Sequence, residues 1–232
     1  MPYTPAELPD GLDAFTPRPP TPDAPALWLV DVARHRETAA RLAPDVLDAD
    51  EQKRAATFVR PQDQDLYRTS HVALRLLLGA HLALPPAEVR FTRLSCPGCG
   101  EPHGRPAVAD GALHHSLSHT GGLALVALAT TPVGVDVERL PSPDTVANTA
   151  RALHAREAAE LAPLSADDSP AAFARAWTRK EAYLKGLGIG LGRDPSLDYV
   201  GTGPTAAGLP GWTIADVRVP TGYAAAVALA RT

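Results

Sequence analysis

Asp136 and Glu138 stand two apart in Thr131–Leu140, where Val133, Val135 and Val137 alternate with them. That alternation has the period of a half-buried strand, so Val135 and Val137 take one face and the two carboxylates the other. Adjacent carboxylates repel unless water solvates both or a cation sits between them. Exposed strand faces often carry acids, so the pair means little alone. Glu181 and Lys185 are four apart, which on a helix places them on one face. Such a pair is an exposed ion pair of small worth, or a carboxylate and an ammonium serving one ligand. Ser118-His119-Thr120 runs into Gly121-Gly122. Small residues allow close approach there, and hydroxyl and imidazole groups can hold a phosphate oxygen. No Gly-x-Ser-x-Gly elbow is present, so this serine is not read as a nucleophile. Cys96-Pro-Gly-Cys99 with His103 supplies three of the four ligands a closed zinc site wants. A tight turn with two reduced thiols and no stoichiometric zinc is the expectation.

The elements that must position these groups can be read in outline. Met1–Pro25 is rich in proline and reads as an irregular arm, ordered only if it lies on the body. Ala26–Ala33 reads as a buried strand and His35–Arg41 as a short helix stopped near Pro44. Asp48–Val59 reads as a helix capped by Asp48 with Glu51 three residues on, carrying Lys53 and Arg54 on a solvated face. Gln62–Leu82 is amphipathic and carries Arg68 and Arg75. Glu88–Leu94, Leu113–Thr120 and Leu123–Ala129 read as strands, Asp144–Leu161 and Ser169–Leu187 as helices, and Gly188–Gly192 as a flexible loop. Leu197–Val200, Thr213–Val219 and Tyr223–Ala230 complete a meander. One echo stands out: Val126–Ala129 and Val227–Ala230 are both Val-Ala-Leu-Ala, each in a strand led by glycine. It suggests two similar α+β halves, residues 26–132 and 133–232, with residues 1–25 as the arm.

The chain has 232 residues, 22 Lys plus Arg against 26 Asp plus Glu, and a net charge of −4. That balance argues against nucleic-acid binding driven by overall positive charge. No apolar run is long enough to span a bilayer and residues 1–25 lack a signal-peptide core, so a cytoplasmic protein with reduced cysteines is expected.

Taken in order, three segments resemble the Sfp-type 4′-phosphopantetheinyl transferases. They are Ser116–Thr120, Gly134–Glu138, and Trp177–Lys185 followed by Gly186–Gly190. Upstream, Asp50-Glu51, Arg54-Ala55 and Phe58, then Tyr67-Arg68, Leu74–Leu77 and Gly104-Arg105-Pro106 continue the likeness from about residue 44 onward. The resemblance implies two pseudo-symmetric α+β halves with coenzyme A in the cleft between them. It implies transfer of the phosphopantetheine arm to a serine of an apo acyl or peptidyl carrier protein, with release of adenosine 3′,5′-bisphosphate. It implies Mg²⁺, with Mn²⁺ as an alternative ion, held by Asp136, Glu138 and Glu181. Glu181 would also be the general base, and Lys185 would stabilise the diphosphate charge. Arg54, Arg68, Arg105 and His119 match coenzyme A phosphate-binding positions, with Ser118 beside them and Asp136 and Lys185 at the diphosphate. Thr120 replaces a serine common in relatives and Arg105 a lysine, keeping the hydroxyl and the charge. A monomer is implied, since the shorter carrier-synthase class acts as a trimer of chains half this length.

Three other readings compete. One is another Mg²⁺-dependent phosphoryl transferase, for which no P-loop or kinase signature is present. Another is a non-catalytic module that binds carrier protein or coenzyme A, against which the intact acid set speaks. The last is a zinc-knuckle nucleic-acid binder, disfavoured by the net charge.

Overall fold

A computed structural model describes residues 2–12, 15–102, 104–109, 111, 113–189 and 192–232. His103 and Gly190, named above, lie outside them. The strands are β1 Ala6–Glu7, β2 Ala26–Asp31, β3 Phe91–Arg93, β4 Pro106–Val108, β5 His114–Thr120, β6 Leu123–Ala129, β7 Val133–Arg139, β8 Trp212–Asp216 and β9 Tyr223–Ala230. The helices are α1 Val32–Val46, α2 Ala49–Ala56, α3 Pro61–Leu82, α4 Pro143–Thr149, α5 Ala155–Leu161 and α6 Ser169–Leu187. The fold is α+β.

Strands up to β6 form a sheet in the order β1-β2-β6-β5, with β3-β4 a separate ribbon, and the last three form a sheet in the order β7-β9-β8. The two echoed segments, β6 and β9, lie between two partners in their respective sheets. That position explains their composition: a central strand packed on both faces reads as a continuous apolar run, and all of β6 is buried. α3 covers the first sheet through Val72, Leu74, Leu77 and Leu78, which join Trp28, Val30 and Val126 in one core. α6 covers the second through Phe173, Ala176 and Ala182, in a core with Ala226 and Ala228. A third apolar cluster, including Leu125, Ala127, Val135 and Val227, draws on both sheets.

Several expected bounds shift. The arm is ordered: β1 pairs parallel with β2, Leu8 and Leu12 are buried, and Tyr3 bonds to Asp216 and Arg218 of the second sheet's edge. Burial of two leucines and backbone pairing at both sheets outweigh its proline content. α1 begins at Val32, capped by Asp31, and runs past Pro44 to Val46. Proline removes one N–H and this one lies in the last turn, while Ala39, Ala43 and Val46 keep an apolar face in the core. Glu88–Leu94 shortens to β3 after a 3₁₀ turn at Pro86–Glu88. Asp144–Leu161 is broken at Leu153 and His154, where the His154 side chain caps α5. Leu197–Val200 is not a strand. Leu197 closes a 3₁₀ turn that begins at Pro195, and the backbone around it is satisfied by side chains: Val200 N–H donates to Glu157 Oε1 at 2.7 Å, and Lys180 Nζ donates to the carbonyls of Pro195 and Asp198.

Candidate functional site

β5 and β7 lie side by side at the edges of different sheets. Serine hydroxyls bridge them. Val135 N–H donates to Ser116 Oγ at 3.0 Å and Val137 N–H to Ser118 Oγ at 3.3 Å. Pleating sends Ser116 and Ser118 toward β7 and the alternate residues His115, Leu117 and His119 to the opposite face. The same pleating places Asp136 and Glu138 together on β7.

α6 reaches β7 through a contact only glycine permits. A Cβ on Gly134 would lie 2.0 Å from Ala182 O and 2.4 Å from Gly186 N. Glu181 and Lys185 each precede one of these contact residues, so they flank the seam beside Asp136. On the far side α6 is pinned by consecutive buried cations. Arg179 bonds both carboxylate oxygens of Asp216 at 2.7 Å and the carbonyls of Gly201 and Gly203. Lys180 pairs with buried Glu157 at 2.8 Å.

The groups meet in a cavity of about 1050 Å³ walled by both sheets, α3 and α6. Asp136, Glu138, Glu181, Lys185, Ser118, His119 and Arg105 all line it. Asp136 is 2% exposed. Its Oδ1 accepts from Lys185 Nζ at 2.6 Å and Ser118 Oγ at 2.8 Å, and Lys185 also donates to Ser118 Oγ at 3.0 Å. Its Oδ2 is buried and has no partner among the described residues. An orphaned acceptor of this kind costs about 1–3 kcal/mol. Burial pushes the Glu138 and Glu181 carboxyls above the usual range, and the charge of Asp136 adds to both. Oxygen donors that burial and mutual repulsion hold in this state suit a hard divalent cation, which takes few protein ligands and keeps the rest for water and phosphate. Among the described residues no three His, Cys, Asp or Glu side chains stand close enough together to form a preformed metal site.

The basic side of the cavity is only partly as expected. Arg105 crosses between the sheets, donating to Gly186 O at 2.8 Å, and burial works against its charge. His119 is held below the usual imidazole range, first by burial and then by the positive charge of His71. Arg54 and Arg68 do not line the cavity. Arg54 is exposed and lies over the Phe58 ring at 5.1 Å, and Arg68 is 3.9 Å from Asp65. His71, which the sequence reading did not single out, lines the cavity, as do Glu51 and Trp177, which it named only as parts of a helix cap or of the family pattern. Glu51 completes a capping box with Asp48, which is its legible role. It also bonds Arg75 Nε at 2.5 Å and His71 Nδ1 at 3.0 Å. The available signal was helical spacing, which sets Tyr67, His71 and Arg75 on one face of α3. Cys96 is buried and Cys99 exposed, in a turn between β3 and β4 closed by Gly100 N–H to Cys96 O at 2.8 Å.

A model of the 4′-phosphopantetheinyl transferase superfamily matches residues 132–220, the stretch holding Asp136, Glu138, Glu181 and Lys185. The 4′-phosphopantetheinyl transferase HetI of Nostoc sp. is 30% identical over 229 residues, 93% of each chain. A putative 4′-phosphopantetheinyl transferase of Synechocystis sp. is 30% identical over 63% of this chain and 58% of its own. The 4′-phosphopantetheinyl transferase Sfp of Bacillus subtilis is 24% identical over 62% of this chain and 67% of its own. Because the Nostoc alignment runs through both sheets and across the seam between them, the chain belongs to the 4′-phosphopantetheinyl transferase superfamily and is an enzyme of that class.

Proposed function

We propose that this enzyme transfers the 4′-phosphopantetheine arm of coenzyme A to a serine hydroxyl of an apo acyl or peptidyl carrier protein. Asp136, Glu138 and Glu181 hold Mg²⁺, or Mn²⁺ in its place, and adenosine 3′,5′-bisphosphate leaves. The observation that carries this reading is the Asp136 carboxylate, buried with Oδ1 doubly bonded and Oδ2 unpartnered beside two further acids in one cavity. The ion supplies charge neutralisation at the diphosphate when bound.

The chain's own groups have separable tasks. Lys185 sets its ammonium against diphosphate oxygen, a point-charge role. Arg105 and His119 hold phosphate oxygens on the other wall. Glu181 accepts the proton of the attacking serine hydroxyl as general base. The serine oxygen bonds the phosphorus that carries the pantetheine arm, and the P–O bond to the nucleotide-side phosphate breaks. The site lies between two halves of one chain, residues 26–132 and 133–232, which suits a monomer. The test is mass spectrometry of apo carriers incubated with coenzyme A and Mg²⁺. A mass gain of one arm on the carrier serine is expected. Binding of coenzyme A without any mass gain would leave a non-catalytic binding module instead.

A further inference from the structure

Cys96 and Cys99 are the chain's two cysteines. Neither lines the cavity, and the transfer step uses neither. They stand at the ends of Cys96-Pro97-Gly98-Cys99, a turn in the connection from β3 to β4. Two backbone bonds close it: Cys96 N–H donates to Glu101 O at 2.7 Å and Gly100 N–H to Cys96 O at 2.8 Å. Within it the two thiols are in hydrogen-bond contact. The pair is asymmetric. Cys96 is 6% exposed, whereas Cys99 is open to solvent. The N–H groups of Gly98 and Cys99 donate to Cys96 Sγ and hold that thiol below its usual range, and the Cys99 thiol adds to the same effect.

These features divide the work of thiol–disulfide exchange. An exposed thiol is the one that a dissolved disulfide reaches. A buried sulfur in contact with it, stabilised as thiolate, is placed to displace the first adduct. The same donors favour a reversible bond over a permanent staple, because stabilising the reduced thiolate raises the reduction potential of the couple. A closed zinc site would need two further ligands, and the described residues supply no group of three metal-ligating side chains. The turn also touches the other half of the chain. A Cβ on Gly98 would lie 3.7 Å from Cys96 Sγ and 3.9 Å from Ile189 Cγ2, just past the end of α6.

We propose that Cys96 and Cys99 form a dithiol site that exchanges with low-molecular-weight disulfides and closes reversibly into a Cys96–Cys99 disulfide beside Ile189. The Cys99 thiolate attacks one sulfur of the disulfide RSSR, forms Cys99–S–S–R and expels RS⁻. The Cys96 thiolate then attacks the Cys99 sulfur, forms the Cys96–Cys99 bond and expels the second RS⁻. Two protein thiols are oxidised, one small disulfide is reduced to two thiols, and the protons lost by the cysteines pass to the leaving thiolates.

The experiment adds oxidised glutathione to wild type, Cys96→Ser and Cys99→Ser, alkylates the remaining thiols and reads the masses. Wild type should lose both alkylation sites and two hydrogens, and dithiothreitol should restore them. Cys96→Ser should stop at a glutathione adduct on Cys99, because its resolving sulfur is gone. Cys99→Ser should react at least about tenfold more slowly, because the sulfur left is buried. Wild type that keeps two alkylatable thiols, or that stops at the Cys99 adduct, would overturn the proposal. So would one zinc per chain held by the thiols, or a disulfide that links two chains. Methyl NMR of wild type needs no substitution: the chain has two isoleucines, and oxidation should move Ile189 and leave Ile214, in the second core, in place. An Ile189 resonance that does not move would count against the proposal.

Discussion

Asp136 holds an unusual balance: a buried carboxylate with two donors on one oxygen and none on the other. Asp136→Asn keeps the shape and removes the charge. It should weaken apparent Mg²⁺ affinity in the transfer assay by at least about tenfold, and it also takes from Lys185 the carboxylate charge that lies 2.6 Å from its Nζ. A fall in melting temperature with unchanged Mg²⁺ dependence would make Asp136 structural. His115 offers a stability test. It is buried against Phe91 with Nδ1 unpartnered among the described residues, and burial holds its pKa down at about 4. Unfolded, it takes a proton near pH 6.5, so its contribution is full above that and is lost as pH falls toward 4. Urea unfolding of His115→Leu beside wild type should show the difference between them moving by up to about 3 kcal/mol in the variant's favour from pH 7.5 to pH 4. At this scale the shared faces of Asp136 with Glu138 and of Glu181 with Lys185 were legible because the spacing within each pair is local. His71 and Ser116 were not, since their partners lie 20 and 19 residues away, and no local pattern encodes such a contact. Arg54 and Arg68 were matched by alignment alone, and the fold keeps both off the cavity wall.

The elements that aim the site are β7 and α6, and their mutual approach is the fragile link. Gly134→Ala puts a methyl against α6 backbone at Ala182 and Gly186, where nothing can rotate away. It should cost about 1–3 kcal/mol of stability and a larger share of activity, because Glu181 and Lys185 move with the helix; thermal unfolding and transfer rate measure the two. Unchanged activity would mean the seam is loose. The N-terminal arm has an equally direct check: Leu8→Ala empties a fully buried site and should cost about 2–5 kcal/mol in urea unfolding. α6 and β9 were readable to their bounds because each has complete end signals, Pro170 and Gly188 for the helix, Gly222 for the strand. The residue 195–201 segment was not, because its backbone partners are the buried side chains Glu157 and Lys180. The condition set for the arm, that it is ordered only if it lies on the body, is met by a surface that receives its two leucines, and composition could not show that surface.

In the whole molecule, two sheets with echoed central strands enclose one cavity, and a single chain supplies both walls. Among the described residues no helix is long and apolar enough to cross a membrane. The echo made the two-sheet plan legible, but the seam itself, serine hydroxyls joining β5 to β7, could not be read from either strand alone. Coenzyme A should bridge that seam, touched by Arg105 and His119 from one side and by the Asp136 strand from the other. The most direct measurement of the central claim is transfer from coenzyme A to an apo carrier, followed by mass spectrometry across a Mg²⁺ series at saturating coenzyme A, for wild type, Glu138→Gln and Glu181→Gln. With Glu138 a ligand and Glu181 both ligand and base, high Mg²⁺ should partly restore Glu138→Gln and leave Glu181→Gln slower by about 10²–10⁴-fold. Wild-type turnover of Glu181→Gln without added metal would contradict the account, because it would remove Glu181 from the site and with it the reading of Asp136 and Glu138 as a metal pair.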